Sequence, residues 1–196
     1  MDDTRSYFEQ MATRWDESSP ERTLVLERLS LRLDRFLPAS GTLLEVGTGT
    51  GILIPFLFQR HPQIQLVSLD LAFNMLQRAR QRETQASLVQ ADGRSLPFPN
   101  SCFAAVICHN SFPHFGDYPA ALQELQRVVQ PGGNVIIAHD IGRERVNAIH
   151  MHIHAGFIHH HLLPSGQELT GLFKQVGLTP VQMEDESEYY LAFAVK

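Results

Sequence analysis

Cysteine is scarce in this chain: its 196 residues include two, Cys102 and Cys108. They stand six apart on one expected strand, where even spacing places them on the same face and too far along it to bridge. That excludes a disulfide framework and points to core thiols in a reducing, cytoplasmic setting. No apolar run approaches the roughly 18 residues of a membrane span, and no cleavable signal stands at the N-terminus, so no membrane role is expected. Excess positive charge is also lacking. The formal net charge is −5, and the mostly arginine cations are scattered rather than striped, which argues against a nucleic-acid footprint. Repeats and low-complexity tracts are absent apart from a histidine-rich stretch. With 43% hydrophobic residues, the chain suits one ordinary domain with a good core.

The most informative segment is residues 43–51, Leu-Leu-Glu-Val-Gly-Thr-Gly-Thr-Gly. An apolar run with an acid inside it feeds three alternating glycines, and Ile52, Leu53, Ile54, Phe56 and Leu57 follow at helical spacing. This predicts strand, tight turn, helix. Lacking Cβ atoms, Gly47, Gly49 and Gly51 let a ligand lie against the backbone. The spacing is not the dinucleotide fingerprint G-x-G-x-x-G, because Ile52 stands where its third glycine would be. The phosphate P-loop fails too, since no Gly-Lys-Ser/Thr follows. Glu45, just ahead of the first glycine, is awkward beside a pyrophosphate and suits a cationic or amino-bearing ligand.

Two further acids end two further expected strands. Asp70 closes the run 64–69, 23 residues after Gly47, near the spacing at which an acid meets a ribose diol. Asp92, followed by Gly93, closes the run 87–91, where a carboxylate accepts from an exocyclic adenine amine. An adenine, a ribose diol and a positive end describe S-adenosylmethionine better than a nicotinamide dinucleotide.

The ordered set resembles the class I S-adenosylmethionine-dependent methyltransferases. Glu45-Val-Gly-Thr-Gly-Thr-Gly51 is similar to the family's first motif, Ser68-Leu-Asp-Leu-Ala-Phe-Asn-Met-Leu76 to the second and Gln90-Ala-Asp-Gly-Arg-Ser-Leu-Pro-Phe98 to the third. Phe103 to Phe115 resembles the fourth, and Arg127 to Ile137 the approach to strand five. The likeness runs from Leu43 to Ala138, and the flavour is that of the small-molecule branch. The lead-in Tyr7 to Asp16 resembles that of quinone-biosynthetic C-methyltransferases, while the histidine-rich tail does not. The resemblance implies an α/β fold: a doubly wound Rossmann-like sheet, mostly parallel, with a C-terminal antiparallel hairpin strand and helices on both faces. It implies a cofactor set of Glu45, Gly47, Thr48, Gly49, Gly51, Asp70, Leu71, Met75, Asp92, Gly93, His109 and Asn110, with Tyr7 and Trp15 from the lead-in. No Asn-Pro-Pro-Tyr-like tetrad follows strand four, where Asn110-Ser-Phe-Pro-His stands instead, and no cysteine occupies a catalytic strand end. Nucleic-acid amines, glutamine side chains and covalent cytosine chemistry are therefore disfavoured, leaving a small-molecule acceptor.

Along the chain, residues 1–38 read as an N-terminal helical lid. In it Pro20 opens an amphipathic helix whose apolar positions are Leu24, Leu26, Leu29, Leu31, Leu33, Phe36 and Leu37. Residues 43–138 are the cofactor core, with strands at 42–46, 64–69, 87–91, 103–108 and 134–138 and helices at 51–60, 72–83 and 117–129. Residues 139–163 are a histidine-rich acceptor-side cap, and 164–196 hold a closing helix (169–176) and a hairpin (179–184 and 188–195). All of this forms one domain.

Seven of the ten histidines fall between 139 and 161, with His109 and His114 in the loop after strand four. A helix over Arg143 to Phe157 would put Val146, Ile149, Ile153 and Phe157 in one stripe and stack His150 on His154 beside it. Three readings stay open for that pair: polar pocket lining, general base duty, or a divalent metal site completed by His109, His114 or His139. His152 and His159 to His161 read as solvated. Phe112, Pro113 and Phe115 would wall the acceptor cavity. Phe8 would join the lid, and Arg143 and Arg145 are candidates to clamp an anion. The sulfonium methyl is already electrophilic, so alignment and water exclusion carry the reaction, with His114, His150 or His154 as candidate bases. A metal-using methyltransferase and a non-catalytic cofactor-binding protein are the alternatives. Oligomeric state is not legible.

Overall fold

The computed structural model describes residues 3–16, 21–82, 85–153 and 158–196. Five parallel strands, β1 (Gly41–Val46), β2 (Ile64–Asp70), β3 (Ser87–Gln90), β4 (Phe103–His109) and β5 (Val129–His139), share a sheet with β6 (Thr179–Asp185) and β7 (Tyr190–Val195). The order is β3-β2-β1-β4-β5-β7-β6, with β7 antiparallel to both its neighbours. The helices are α1 (Asp3–Met11), α2 (Glu21–Leu33), α3 (Ile54–Arg60), α4 (Phe73–Arg82), α5 (Tyr118–Val128), α6 (Arg143–His152) and α7 (Gly166–Gln175). None among the described residues is long and apolar enough to cross a membrane.

The central strands read as near-continuous apolar runs because helices cover both faces. Leu44, Val106, Ile137 and Ala192 pack on one side with Leu122 and Leu125 of α5 and Leu169 and Phe173 of α7. Leu43, Leu66, Ile107 and Ile136 pack on the other with Leu29 and Leu33 of α2, Ile54 and Leu57 of α3 and Ala79 of α4. Cys108 is buried in the first cluster with Cys102 against it, and both thiols are free. The strand order reverses between β1 and β4, which opens a crevice at the carboxyl ends of the strands.

Several expected boundaries move for local reasons. Helix α3 starts at Ile54 rather than 51, because Gly51 lies at φ +76° and its amide donates back to Thr48 O at 3.0 Å. Strand β5 begins at Val129 rather than 134: Val129 still pairs with Phe103, and a register shift absorbs residues 130–133 before Asn134 pairs with Ala105. Helix α7 starts at Gly166 rather than 169, since Ser165 and Glu168 form a capping box. In α2, Leu26, Leu29 and Leu33 are buried, but Leu24 and Leu31 are 59% and 57% exposed; they lie on the opposite side of a 3.6-residue period. Helix α6 ends at His152, with Ile153 extended (φ −70°, ψ 128°). Its buried positions are Val146 and His150, four apart, while the expected core residue Ile149 is exposed. Pro20, His154 and Phe157 lie outside the described residues.

Candidate functional site

The glycine turn is shaped by packing beneath as well as by access above. Gly47 lies at φ +78°, and a Cβ on it would fall 2.2 Å from the Ser111 Cβ. The Ser111 hydroxyl reaches past it to donate to Val46 O at 2.6 Å, tying the loop after β4 to the end of β1. A Cβ on Gly51 would meet Ala79 of α4 at 2.9 Å, so this glycine serves close helix packing and is not among the cleft-lining residues.

Asp70 ends β2, 8% exposed, and its two oxygens accept from the amides of Gly49 (2.7 Å) and Ala72 (2.9 Å). Burial, and more weakly the Glu9 carboxylate, raise its pKa to about 6 against those two hydrogen bonds. Glu45 lies one layer deeper, 1% exposed and not in the cleft wall. One of its oxygens accepts from both Thr48 Oγ1 (2.7 Å) and Ser68 Oγ (2.8 Å). Burial pushes its carboxyl upward. It therefore orients Thr48, which does line the cleft, rather than facing a ligand. Asp92 lines the cleft, as expected, but is already engaged by a neighbour. Its carboxylate is taken up by the Arg94 guanidinium (2.7 Å from Nη2) and by the Arg94 amide at 2.8 Å, which holds its pKa down.

Between these groups lies a cleft of about 830 Å³, its open mouth included. Its wall takes in Gly47, Thr48, Gly49, Asp70, Leu71, Met75, Asp92 and Gly93 on one side, and His109, Asn110, His114 and Phe115 on the other. The lead-in covers it through Phe8 and Trp15, whose rings meet edge-on at 5.5 Å. Tyr7 does not line the cleft and packs edge-on against Phe8 at 5.3 Å. The covering is pinned at both ends. Glu9 accepts from the amides of Phe73 and Asn74 at the start of α4 (2.8 and 2.7 Å), and Asp16 accepts from Thr50 Oγ1 (2.6 Å) and Arg82 (2.7 Å). Asn110, in the left-handed region at φ +53°, exchanges hydrogen bonds with Asp140 (2.8 and 3.1 Å), bridging the ends of β4 and β5.

The histidines gather behind the loop after β4. The His114 ring lies 4.9 Å from His150, 5.5 Å from His161 and 4.9 Å from Phe8. Burial, then the neighbouring His150, His161 and His139, holds the His114 pKa well below the ordinary value. His139, 2% exposed, is lowered to about 3 by burial and by His109, against the Asp140 carboxylate. His150 is lowered by burial, and its Nδ1 lies 2.5 Å from His161 O. His161, expected in a solvated loop, is instead half-buried with its Nδ1 3.3 Å from that of His114. His152 and His160 are exposed as expected. Arg143 is no free anion clamp, being paired with Asp185 at 2.7 Å, and Arg145 is exposed. Phe112 and Pro113 are buried beneath the loop, so Phe115 alone of the three expected wall residues reaches the cleft. Among the described residues no three His, Cys, Asp or Glu side chains converge as a metal site. The His150–His154 pairing falls outside what is described.

Sequence reasoning passed over Ser111, Asp140, Glu9 and Asp16. Their partners stand 30 to 66 residues away, and only the fold brings them together.

An open α/β sheet with this strand order, a glycine–acid turn after β1 and an acid ending β2 defines a protein that holds a nucleoside-bearing cofactor at its topological switch point. Residues 44–137 match the family described as "Methyltransferase domain". Over 137 residues the chain is 35% identical to a malonyl-[acyl-carrier protein] O-methyltransferase of Halorhodospira halophila, covering 68% of this chain and 46% of that protein. Over 99 residues it is 39% identical to a demethylmenaquinone methyltransferase of Thermus thermophilus, covering 48% and 45%. A SAM-dependent methyltransferase from Aquifex aeolicus shares the fold, with a TM-score of 0.73 at 18% identity over 95% of this chain and 97% of that one. Over its cofactor core the chain is similar in sequence to S-adenosylmethionine-dependent methyltransferases, and it shares their fold. It spans about half the length of these curated relatives.

Proposed function

We propose that this chain transfers a methyl group from S-adenosylmethionine to a small-molecule acceptor. The observation that carries the reading is Asp70, a strand-end carboxylate held by the Gly49 and Ala72 amides at the rim of a cleft roofed by Phe8 and Trp15. The donor chemistry fits. Asp70 offers its remaining lone pairs to a ribose diol, Leu71 and Met75 offer an apolar bed for adenine, and the glycine turn lets a ligand approach the backbone. Residues 43–138 then act as the cofactor core, 1–38 as the lid, and 139–163 as the acceptor-side cap.

When bound, S-adenosylmethionine supplies an electrophilic methyl on a cationic sulfur. The protein's own part is alignment and water exclusion. Phe8, Trp15 and Phe115 exclude water, and Asn110, locked by Asp140, fixes the wall between donor and acceptor sides. Burial lowers the pKa values of His114, His139 and His150, which disfavours positive charge on them beside the sulfonium. His114 is the base candidate that reaches the cleft. The relatives are named for a malonyl-carrier acid and a quinone; a quinol-like ring hydroxyl suits this wall better, because the arginine in its lining, Arg94, is paired to Asp92.

The test is an S-adenosylhomocysteine-release assay over small hydroxyl, amine, thiol and carbon acids. Acceptor-dependent release is expected. Tight cofactor binding with no release across the panel would favour a non-catalytic binding protein.

A further inference from the structure

His161 belongs to none of the groups assigned above, yet it is fastened against the cleft. The His150 Nδ1 lies 2.5 Å from its carbonyl, and Tyr118 donates to Leu162 O. Asn147 brackets Leu163, donating to its carbonyl at 3.1 Å and accepting from its amide at 2.7 Å. Three side chains from two helices, α5 and α6, thus hold one backbone turn, and the side chain it presents meets His114 at Nδ1···Nδ1 3.3 Å. Two imidazole nitrogens at that distance share a proton: one donates and the other accepts. His114 lines the cleft, and His161 is half-buried behind it rather than in the cleft lining.

We propose that His114 and His161 form a two-imidazole relay that carries the acceptor's proton out of the cleft, which makes His161 a functional residue of the methyl transfer. This rests on the methyltransferase reading. His114 Nδ1–H donates to His161 Nδ1, leaving the lone pair of His114 Nε2 for the acceptor's hydrogen. As the acceptor–methyl bond forms and the sulfur–methyl bond breaks, sulfur keeps the bonding pair and becomes a neutral thioether. The acceptor proton goes to His114 Nε2, the Nδ1 proton goes to His161 Nδ1, and His161 Nε2 releases its own to solvent. One proton leaves for each methyl transferred, and nothing is oxidised or reduced. The relay answers a difficulty in using His114 alone. Its pKa is held down by burial and by His150, His161 and His139 around it, so it is a poor store for a proton. A partner that takes the proton onward removes the need to store it. Phe8 packs on the same ring from α1 and adds no charge.

The experiment uses the full chain labelled with ¹⁵N, with S-adenosylhomocysteine bound, and 1,4-dihydroxynaphthalene as the acceptor probe in kinetics. The relay predicts a protonated Nδ1 on His114 and coupling across the His114–His161 pair. His161→Asn keeps an acceptor near the Nδ1 position but cannot pass a proton. It should preserve the His114 tautomer while lowering kcat about ten- to a hundredfold, with KM unchanged. His161→Ala should lose both, with partial rescue of kcat by added imidazole. The exposed His152→Gln should change neither. A His114 protonated on Nε2, or a kcat indifferent to His161→Asn, overturns the relay. If the wild-type chain binds cofactor but does not methylate the probe, the quinol-like acceptor is wrong, and the tautomer measurement decides the pair by itself.

Discussion

Asp70 keeps both oxygens on backbone amides and is still pushed to a pKa of about 6 by burial. A ribose diol donates to the ionised form, so cofactor binding selects the deprotonated carboxylate. Affinity for S-adenosylhomocysteine should therefore hold above pH 7 and weaken about tenfold by pH 5, as titration calorimetry across that range will show. Gly47→Ala should abolish binding and destabilise the fold, because the new Cβ falls 2.2 Å from that of Ser111 at a φ of +78°; a thermal melt beside the binding assay separates the two effects. Asp70 was legible because a polar residue ending an apolar run marks a strand's carboxyl end. The fates of Glu45 and Asp92 were not: whether an acid faces a ligand or a neighbour depends on Ser68 and Arg94, and spacing does not say which way they turn.

At the scale of elements, α1 is an amphipathic cover fastened by its own acids. The Glu9 carboxylate occupies the exposed amides at the start of α4, the place where a helix dipole favours negative charge. Glu9→Ala should cost about 1 kcal/mol of stability and speed S-adenosylhomocysteine dissociation, read by stopped-flow fluorescence of Trp15. A merely peripheral α1 would leave that rate unchanged. Ser165→Ala, which removes the capping box of α7 far from the cleft, should cost about 1 kcal/mol without touching cofactor affinity. The strand-to-helix alternation of the core was readable from apolar runs and glycines. The early end of α6 was not, since the apolar positions 149 and 153 continue its period while Ile153 adopts an extended backbone.

For the whole molecule, the buried imidazoles set the response to acid. His114, His139 and His150 all have pKa values lowered by folding, so below about pH 6.5 the unfolded chain binds protons that the folded chain refuses. Their contribution is complete above that pH and is lost as the pH falls. Asp70 and Glu45, raised by burial, act in the opposite sense. The imidazoles predict a melting temperature that falls between pH 7.5 and 5.5, and the two carboxyls work against that fall. The individual parallel strands were legible as apolar runs, because they are buried on both faces, while their doubly wound order and the antiparallel hairpin came from the resemblance. The histidine assembly did not, because it draws on the ends of β4 and β5, on α6 and on the turn after residue 160, and no periodicity links them.

The most direct measurement is calorimetric titration of S-adenosylhomocysteine into the wild-type chain and into Asp70→Ala at pH 7.5. Stoichiometric binding to the wild type that disappears in the variant is predicted. No binding to either, or equal binding to both, would contradict the assignment of this cleft to the cofactor.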